Sequence, residues 1–246
     1  MPTLSAVMIV RNEQENITAA IESVGFADQV VVADTGSGDK TVELARQTGA
    51  ETHEISFQGF GRTRNNALRF CRGDWILSID ADERVSPELA SSIKKVIENA
   101  SGPDCYAFNR LAYFLGKPIK HSGWFPDYVT RLFKRGYQFS EKRVHESLDI
   151  DFEPATIPGL LYHYSYRDLH QYVEKLNHYT TLNAHEMISR GRKGTIIDMI
   201  FRPPAIFVKM FILRLGFLDG FTGFILAVLS SYHVFVKYAK LRQSVG

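Results

Sequence analysis

The first 110 residues alternate between short apolar runs and stretches with helical periodicity. The apolar runs predict five strands, at residues 4–10, 30–33, 51–57, 75–79 and 106–113. Helical patterns lie between them, at residues 12–23, 39–47, 63–71 and from Pro87 onward, where Ser86 is placed to cap the helix. Because parallel strands need such crossover helices, the alternation predicts an α/β fold with a mostly parallel sheet and helices on both faces.

The composition excludes several classes of protein. The 246 residues are 45% hydrophobic and 23% charged, which is typical of a folded chain and not of a disordered or fibrous one. A net charge of +2 gives no reason to expect nucleic acid as a partner. Two cysteines without a CxxC pattern, Cys71 and Cys105, indicate neither a disulfide framework nor a zinc site. The N-terminus lacks a basic stretch followed by an apolar one, so we expect no signal peptide and a cytoplasmic chain.

The charge is distributed unevenly along the chain. Residues 1–159 carry 18 Lys and Arg against 22 Asp and Glu, whereas residues 160–246 carry 11 against 5. The pattern also changes near this point, because an irregular aromatic stretch is followed by a long helical pattern from Asp168 to Arg190. We therefore predict a catalytic domain at 1–160, whose last part is the irregular segment 113–160, and a basic, apolar helical extension at 161–246.

Two carboxylates follow the fourth predicted strand. Asp80 and Asp82 are two residues apart, at the carboxyl end of a buried strand, where α/β folds bind ligands. Mg²⁺ and Mn²⁺ take carboxylate oxygens together with phosphate oxygens, so the pair is a candidate metal site. The alternative is a solvated acidic turn after the strand.

Polar residues also follow the first two strands. Asp34 ends the second strand and precedes a Gly/Ser turn, so its carboxylate could accept hydrogen bonds from a base or a ribose, while the turn's N–H groups approach a phosphate. Arg11 and Glu13 follow the first strand and could face the same crevice. Asp39, by contrast, is expected to cap the second helix.

Arg62 and Arg64 lie near the start of the third predicted helix. Positive charge at this end opposes the helix dipole, and a bound anion would explain the choice. Two solvated arginines are the alternative.

Four motifs occur in order over about the first 100 residues: VMIVRNEQENI, VVADTGSGDKT, GRTRNNAL and GDWILSIDADE. Together they resemble the family-2 glycosyltransferases, which have the GT-A, Rossmann-like fold. The resemblance implies a nucleotide-sugar donor, an inverting transfer and a divalent metal, Mg²⁺ or Mn²⁺. The QxxRW signature of the processive members is absent, so we do not expect polymer synthesis.

The resemblance also implies roles for single residues. Asp34 matches the aspartate that contacts uracil, and Asp80 and Asp82 match the DxD that holds nucleotide and metal. Further positions of the donor pocket are matched by Arg11, Glu13 and Asn65. Arg62 is added to this set as a candidate for binding the donor's anionic part.

A narrower resemblance rests on the second half of the chain. The run RLFKRG at 131–136, the residues VHE at 144–146 and the pattern GFLDGFTGF at 216–224 resemble small glycosyltransferases of lipopolysaccharide core assembly. The most similar group is the inner-core β-1,4-glucosyltransferases, which use UDP-glucose and act on a heptose. A lipid-linked oligosaccharide acceptor is what this resemblance implies.

An inverting transfer needs a base that takes the proton of the attacking hydroxyl. We expect this base in the segment after the sheet, and Glu146 and Asp127 are the candidates. The pair His145-Glu146 is alternatively a salt link in a surface loop. Nearby basic residues would pair with acceptor phosphates or be solvated: Lys134, Arg135, Lys142 and Arg143.

The apolar tail at 201–236 has three possible interpretations. Its longest run without charge, Gly220–Val236, has 17 residues and is short for a membrane span, which needs about 20. Amphipathic helices at the membrane surface, with Lys and Arg near anionic headgroups, fit better. The helices could instead pack on the catalytic domain or in a homo-oligomer. His163, His170, His178 and His185 have no accompanying carboxylate cage, so we expect no metal site there.

The leading hypothesis is a metal-dependent hexosyltransferase, for glucose or a related sugar, that acts on a lipid-anchored oligosaccharide at the cytoplasmic face of the inner membrane. A second enzymatic hypothesis is sugar transfer to polyprenyl phosphate. The non-enzymatic alternative is a membrane-bound nucleotide-sugar sensor or scaffold.

Overall fold

The computed structural model describes residues 1–99, 101–140 and 147–243. The chain forms two compact units, one of Met1–Arg110 with Asp127–His163 and the other of Leu111–Pro126 with Tyr164–Gly246. The segment Leu111–Pro126 thus belongs to the same unit as the C-terminal helices. The functional division at residue 160 stays a prediction.

The first unit contains the parallel part of the sheet. Strands β1 (Leu4–Val10), β2 (Gln29–Asp34), β3 (Glu51–Glu54) and β4 (Trp75–Ser78) lie in the order β3-β2-β1-β4, all parallel. Strand β1 is buried on both faces, because Leu4, Ala6 and Met8 belong to one apolar cluster and Val7 to another. Burial on both faces explains the continuous apolar runs in the sequence.

Helices cover both faces of this sheet, as predicted. Helices α1 (Ile17–Ser23), α2 (Thr41–Gln47) and α4 (Pro87–Ile97) contribute to the larger cluster, and α3 (Phe60–Leu68) contributes Ala67 to the smaller one. Ser86 caps α4 as expected, since its hydroxyl accepts a hydrogen bond from the Leu89 N–H at 3.2 Å.

The rest of the sheet is antiparallel, which the sequence did not predict. Strands β5 (Glu83–Val85), β6 (Cys105–Phe114), β8 (Tyr128–Lys134) and β9 (Ala155–Tyr166) extend the order to β3-β2-β1-β4-β8-β6-β9-β5, and β7 (Lys117–Pro118) pairs with β6. Strand β8 lies antiparallel to both β4 and β6. Because β8 and β9 are only partly buried, they lack the apolar runs of the first strands. The α/β class is confirmed, with a mixed sheet.

The second unit is helical. It contains α5 (Leu169–Ser189), α6 (Ile196–Phe207), a π-helical turn (Val208–Leu213), a 3₁₀ turn (Gly216–Asp219) and α7 (Gly220–Gln243). Leu226 of α7 packs with Tyr172 and Leu176 of α5. The Asp219 carboxylate accepts hydrogen bonds from the backbone N–H groups of Lys120 and His121, both at 3.0 Å, which ties Leu111–Pro126 into this unit.

One helical stretch among the described residues is long and apolar enough to cross a membrane, judged by length and composition alone. It is Gly216–Gln243, with a mean hydropathy of 1.3 over its most apolar window.

Candidate active site

A cleft of about 340 Å³ lies at the carboxyl ends of β1, β2 and β4. Parallel strands end at the same edge of a sheet, so the polar residues that follow them come together there. Of the predicted site residues, the structure brings Arg11, Glu13 and Asp80 to this cleft. The described lining residues are Ile9, Val10, Arg11, Glu13, Thr35, Phe57, Phe60, Thr63, Arg64 and Asp80.

Asp34 is not among the described residues that line this cleft, although its neighbour Thr35 is. Its side chain is buried, and Oδ2 accepts hydrogen bonds from the N–H groups of Gly36 and Ser37, both at 3.0 Å. The carboxylate therefore folds the turn after β2, and the neighbouring Thr35 lines the cleft.

Two other predicted residues lie elsewhere on α3. Arg62 is exposed and is not among the described lining residues, whereas Arg64 is. Asn65 exchanges two hydrogen bonds with the backbone of Phe139: its Nδ2 donates to the carbonyl at 2.9 Å and its Oδ1 accepts from the N–H at 2.7 Å. Asn65 thus fastens the segment after β8 to α3.

A chain of ion pairs begins at Arg64 and Asp80 in the lining of the cleft. Arg64 donates to Asp80 Oδ1 at 2.8 Å, and Arg131 donates to Asp80 Oδ2 at 2.6 Å and to Glu83 Oε1 at 2.7 Å. Arg110 then joins Glu83, at 3.3 Å, to Asp127, at 2.7 Å. Both carboxylate oxygens of Asp80 are therefore held by guanidinium groups.

This arrangement holds Asp80 and Arg131 in their charged forms. Burial opposes ionisation of the Asp80 carboxyl, but the guanidinium groups of Arg131 and Arg64 outweigh it and hold the pKa of Asp80 well below its usual range. Burial likewise opposes the charge on Arg131, but Asp80 and Glu83 outweigh it and raise the pKa of Arg131. Asp80 is thus held ionised and in a fixed orientation.

Sequence reasoning missed three members of this chain: Glu83, Arg110 and Arg131. A signal was present for Arg131, since it precedes Leu132 and Phe133 in a strand, where a charged residue that becomes buried must be paired. The sequence pattern did not indicate which carboxylates would pair with Arg131, because Glu83 and Asp80 are far from Arg131 in sequence.

A second cleft, of about 570 Å³, shares Arg64 and Asp80 with the first. Its described lining residues are Arg64, Asp80, Arg110, Tyr128, Val129, Thr130, Arg131, Phe139, Ser147, Leu148, Ile150, Phe152, Glu153 and Pro154. The two clefts therefore meet at Asp80.

Of the two predicted bases, only Asp127 lies among the described residues. Glu146 lies outside the described residues. Asp127 directly precedes β8, and its Oδ2 accepts hydrogen bonds from Nε and Nη2 of Arg110, at 2.9 and 2.7 Å. Its side chain is 41% exposed, so the carboxylate remains open to solvent.

Asp82 lies beside a histidine. Its Oδ2 is 3.3 Å from Nε2 of His163, because β5 and β9 pair with Glu83 opposite His163. The Asp82 carboxylate is a ligand that Mg²⁺ and Mn²⁺ accept alongside phosphate oxygens and water, and the imidazole beside it is a ligand typical of transition metals. The described part of the chain holds no group of three His, Cys, Asp or Glu placed for a metal. The sequence pattern did not predict this approach of His163 to Asp82.

Residues 5–154 match the family model described as glycosyl transferase family 2. The chain belongs to this family. The resemblance found in the four sequence motifs is therefore confirmed. The matched range contains every described residue that lines the two clefts of this family-2 glycosyltransferase, whereas His163 and the C-terminal helices lie beyond it.

Relatives match over nearly the whole length. An uncharacterized glycosyltransferase of Rickettsia bellii is 31% identical over 98% of this chain and 86% of its own. The lipopolysaccharide core biosynthesis glycosyltransferase LpsC of Rhizobium meliloti is 28% identical over 98% of this chain and 92% of its own. Among solved structures, mannosyl-3-phosphoglycerate synthase from Rubrobacter xylanophilus is 28% identical with a TM-score of 0.39, over 45% of this chain and 40% of its own. That match spans less than half of either chain.

Proposed function

We propose that this family-2 glycosyltransferase moves glucose from UDP-glucose, with inversion, to a lipid-linked oligosaccharide such as the lipopolysaccharide inner core. The observation that carries the proposal is the meeting of two clefts at Asp80 and Arg64. A transferase must hold donor and acceptor on either side of one reacting centre. The relative named for lipopolysaccharide core biosynthesis, which this chain matches end to end, supports the acceptor class.

The smaller cleft is assigned to the donor. Arg11, Glu13 and Thr35 offer polar groups at strand ends, and Asp80 offers an ionised carboxylate held in place. Asp34 acts by shaping the turn that carries Thr35. Arg62 and Asn65 remain proposed donor-binding residues on α3, with Asn65 acting through the segment at Phe139.

The metal site is assigned to Asp82 and His163. Asp80, the other predicted ligand, already accepts hydrogen bonds from two guanidinium groups, so its part is to orient the donor. A divalent cation, Mg²⁺ or Mn²⁺, would offset the negative charge that develops on the departing diphosphate.

The larger cleft is assigned to the acceptor. The acceptor hydroxyl oxygen forms a bond to the anomeric carbon while the bond from that carbon to UDP breaks, and a carboxylate takes the hydroxyl proton. Glu146 and Asp127 are the proposed bases. For Asp127, the hydrogen bonds from Arg110 would orient the carboxylate.

An exposed aromatic pair at the donor cleft provides a test of this assignment. Phe57 and Phe60 are 51% and 62% exposed, and their ring centroids are 5.2 Å apart. Because aromatic rings stack on nucleobases with about 1–3 kcal/mol each, we expect Phe57→Ser to raise the KM for the UDP-sugar about tenfold with little change in kcat. Steady-state kinetics with varied donor would measure this. Phe152→Ser, in the other cleft, should leave the donor KM unchanged; equal effects of both variants would contradict the assignment.

The function itself is tested by a donor and acceptor screen. UDP-glucose, UDP-galactose and UDP-N-acetylglucosamine would be offered with Mg²⁺ or Mn²⁺, and UDP release and product mass would be measured. We expect transfer from UDP-glucose to core oligosaccharide, and loss of transfer when EDTA removes the metal. Preferred transfer to polyprenyl phosphate would support the second enzymatic hypothesis, and donor binding without turnover on any acceptor would support a sensor.

We also propose that the enzyme works at the cytoplasmic face of the inner membrane. Nucleotide sugars and a lipid-linked acceptor would meet there, and the C-terminal extension is apolar and basic. The alternative is that the C-terminal helices bind a second copy of the chain and form a homo-oligomer.

A further inference from the structure

Helix α7 has two apolar faces, and only one of them is covered. Its buried residues are Gly223, Leu226, Ala227, Tyr238 and Leu241. The opposite side carries a stripe of residues that are 41% to 75% exposed and three or four positions apart, as on one helix face: Phe221, Phe224, Val228, Tyr232 and Phe235. A helix packed on one side only is expected to be polar on the other, so this stripe indicates a further contact.

The elements before α7 expose apolar side chains in the same way. Helix α6 exposes Ile196, Ile197, Ile200 and Phe201, and the connection to α7 exposes Ile212, Leu213, Leu215, Phe217 and Leu218. Leu213 is 72% exposed and Phe221 is 75% exposed. We refer to these residues, together with the stripe on α7, as the apolar face.

The segment that carries the apolar face is strongly basic. Residues 190–246 contain nine Lys and Arg and two acidic residues. Both acidic side chains are paired within the unit, Asp198 with Arg202 and Asp219 with His121. An apolar surface set in excess positive charge complements an anionic lipid surface. A second copy of this chain would bring an equal excess of positive charge, which opposes a symmetric dimer through this face.

The packing of α7 favours a helix that lies in the membrane plane over one that crosses it. Its covered face packs against α5, which carries polar side chains such as Glu174 and Asn177. The ammonium group of Lys240 on α7 donates to the Asn177 carbonyl at 2.7 Å and to the Thr180 hydroxyl at 2.9 Å. Lys240 lies beyond Val236 and would stay near the interface in either mode, but a spanning α7 would take the polar side chains of α5 into hydrocarbon, at a high energetic cost. An α7 in the interface leaves them in water.

We propose that the apolar face binds the surface of a bilayer rich in anionic phospholipid, with α7 parallel to the membrane plane and its exposed stripe below the headgroups. This inference states how the protein would bind the membrane named in the proposed function, and it rests on that proposed location. It does not depend on the identity of the donor or the acceptor.

Vesicle binding of the full-length protein tests the proposal. We expect sedimentation with vesicles of phosphatidylcholine mixed with phosphatidylglycerol, weaker binding to phosphatidylcholine alone, and weakening by salt. Leu213→Ser should reduce the partition coefficient about tenfold, since one leucine leaves the lipid. The matched control is Leu182→Ser on α5, where the leucine is 50% exposed and outside the apolar face, and it should bind as wild type. A second pair is Lys209→Glu, which should weaken binding, and Lys95→Glu on α4, which should not.

The depth of α7 separates the two membrane modes. Single spin labels would be attached through Phe221→Cys, Val228→Cys and Phe235→Cys. Native Cys71 and Cys105 are buried and burial raises their thiol pKa to about 12 and about 11, so they should not react. Equal, shallow depths for all three labels are expected from oxygen and nickel-chelate accessibility. A label at residue 228 lying about 10 Å deeper than the others would indicate a span and overturn the proposal.

Two further outcomes would also overturn it. Equal vesicle binding by Leu213→Ser and Leu182→Ser would exclude the apolar face as the binding surface. A wild-type dimer in solution that Leu213→Ser converts to a monomer, without vesicle binding, would show that a second copy covers the face. Because binding is measured without substrate, and transfer can be measured with a delipidated core oligosaccharide, failure of this inference is distinguishable from failure of the proposed function.

Discussion

Glu83→Gln is expected to lower the free energy of unfolding of the first unit by about 3–5 kcal/mol. Glu83 is fully buried, and its carboxylate accepts hydrogen bonds from Arg131 at 2.7 Å and Arg110 at 3.3 Å and from the Asp80 N–H at 3.0 Å. Glutamine preserves the size of the side chain but removes the one carboxylate that Arg131 and Arg110 share, so that among the described residues Arg131 keeps only Asp80 and Arg110 keeps only Asp127. Breaking a buried pair from one side is costly because the remaining charge cannot regain its water.

Urea unfolding followed by the fluorescence of buried Trp75, in a Trp124→Phe background, would measure this change. Asp104→Asn is the matched control, since its pair with Lys134 is partly exposed, with side chains 42% and 37% accessible, and should change stability by less than about 1 kcal/mol. Adding Arg131→Met to Glu83→Gln should cost less than the sum of the two single changes, because the two residues share one interaction that can be lost only once. If Glu83→Gln and Asp104→Asn lowered the free energy of unfolding equally, the ion pairs around Glu83 would not have the stabilising role expected here.

Asp82→Asn is expected to lower kcat/KM for UDP-sugar turnover by about 100- to 1000-fold while the fold is retained. The substitution removes the negative charge next to His163 that we assign to the metal, and Asp82 is partly exposed, so little stability is lost. His163→Ala should act in the same direction. Steady-state kinetics and calorimetric titration with Mn²⁺ in the presence of UDP would measure both consequences.

The control for Asp82→Asn is Glu22→Gln, an exposed acidic residue on α1 that should leave kinetics and Mn²⁺ binding unchanged. Turnover and Mn²⁺ affinity unaffected by Asp82→Asn would remove the metal role from this residue. A loss of turnover with intact Mn²⁺ binding would instead place the metal elsewhere and leave Asp82 a role in binding the donor.

Three of the four parallel strands could be predicted with ease because β1, β2 and β4 are largely buried, whereas β3 at the edge is partly exposed. Strand β1 sends Met8 into one cluster and Val7 into the other, so six of its seven positions are apolar and only Ser5 interrupts the run. Strands β8 and β9 are partly exposed, and the polar residues at their exposed positions interrupt the apolar pattern that predicts a strand. The irregular segment at 113–160 was therefore predicted without its two long strands.

The site was predictable to the extent that it lies at strand ends. Asp80, Arg11 and Glu13 directly follow predicted strands, and the topology brings those ends together. His163 and Arg131 lie on antiparallel strands whose pairing the sequence pattern does not reveal, so their approach to Asp82 and Asp80 was missed. Asp34 also ends a predicted strand, but its carboxylate accepts hydrogen bonds from the turn that follows it, and its contact with the donor stays a prediction.

The segment Leu111–Pro126 has a consequence for how the catalytic unit could be isolated. A chain cut after His163 would keep this segment but lose Asp219, the acceptor for the Lys120 and His121 amides, and would expose their former contacts. The flanking residues are already adjacent, since the Arg110 N–H donates to the Asp127 carbonyl at 2.7 Å. The segment therefore begins and ends at neighbouring residues of the sheet, as an insertion does, although it includes the last residues of β6 and the short strand β7. A short turn from Arg110 to Asp127, combined with an end at His163, would keep the first unit and every described residue that lines the two clefts.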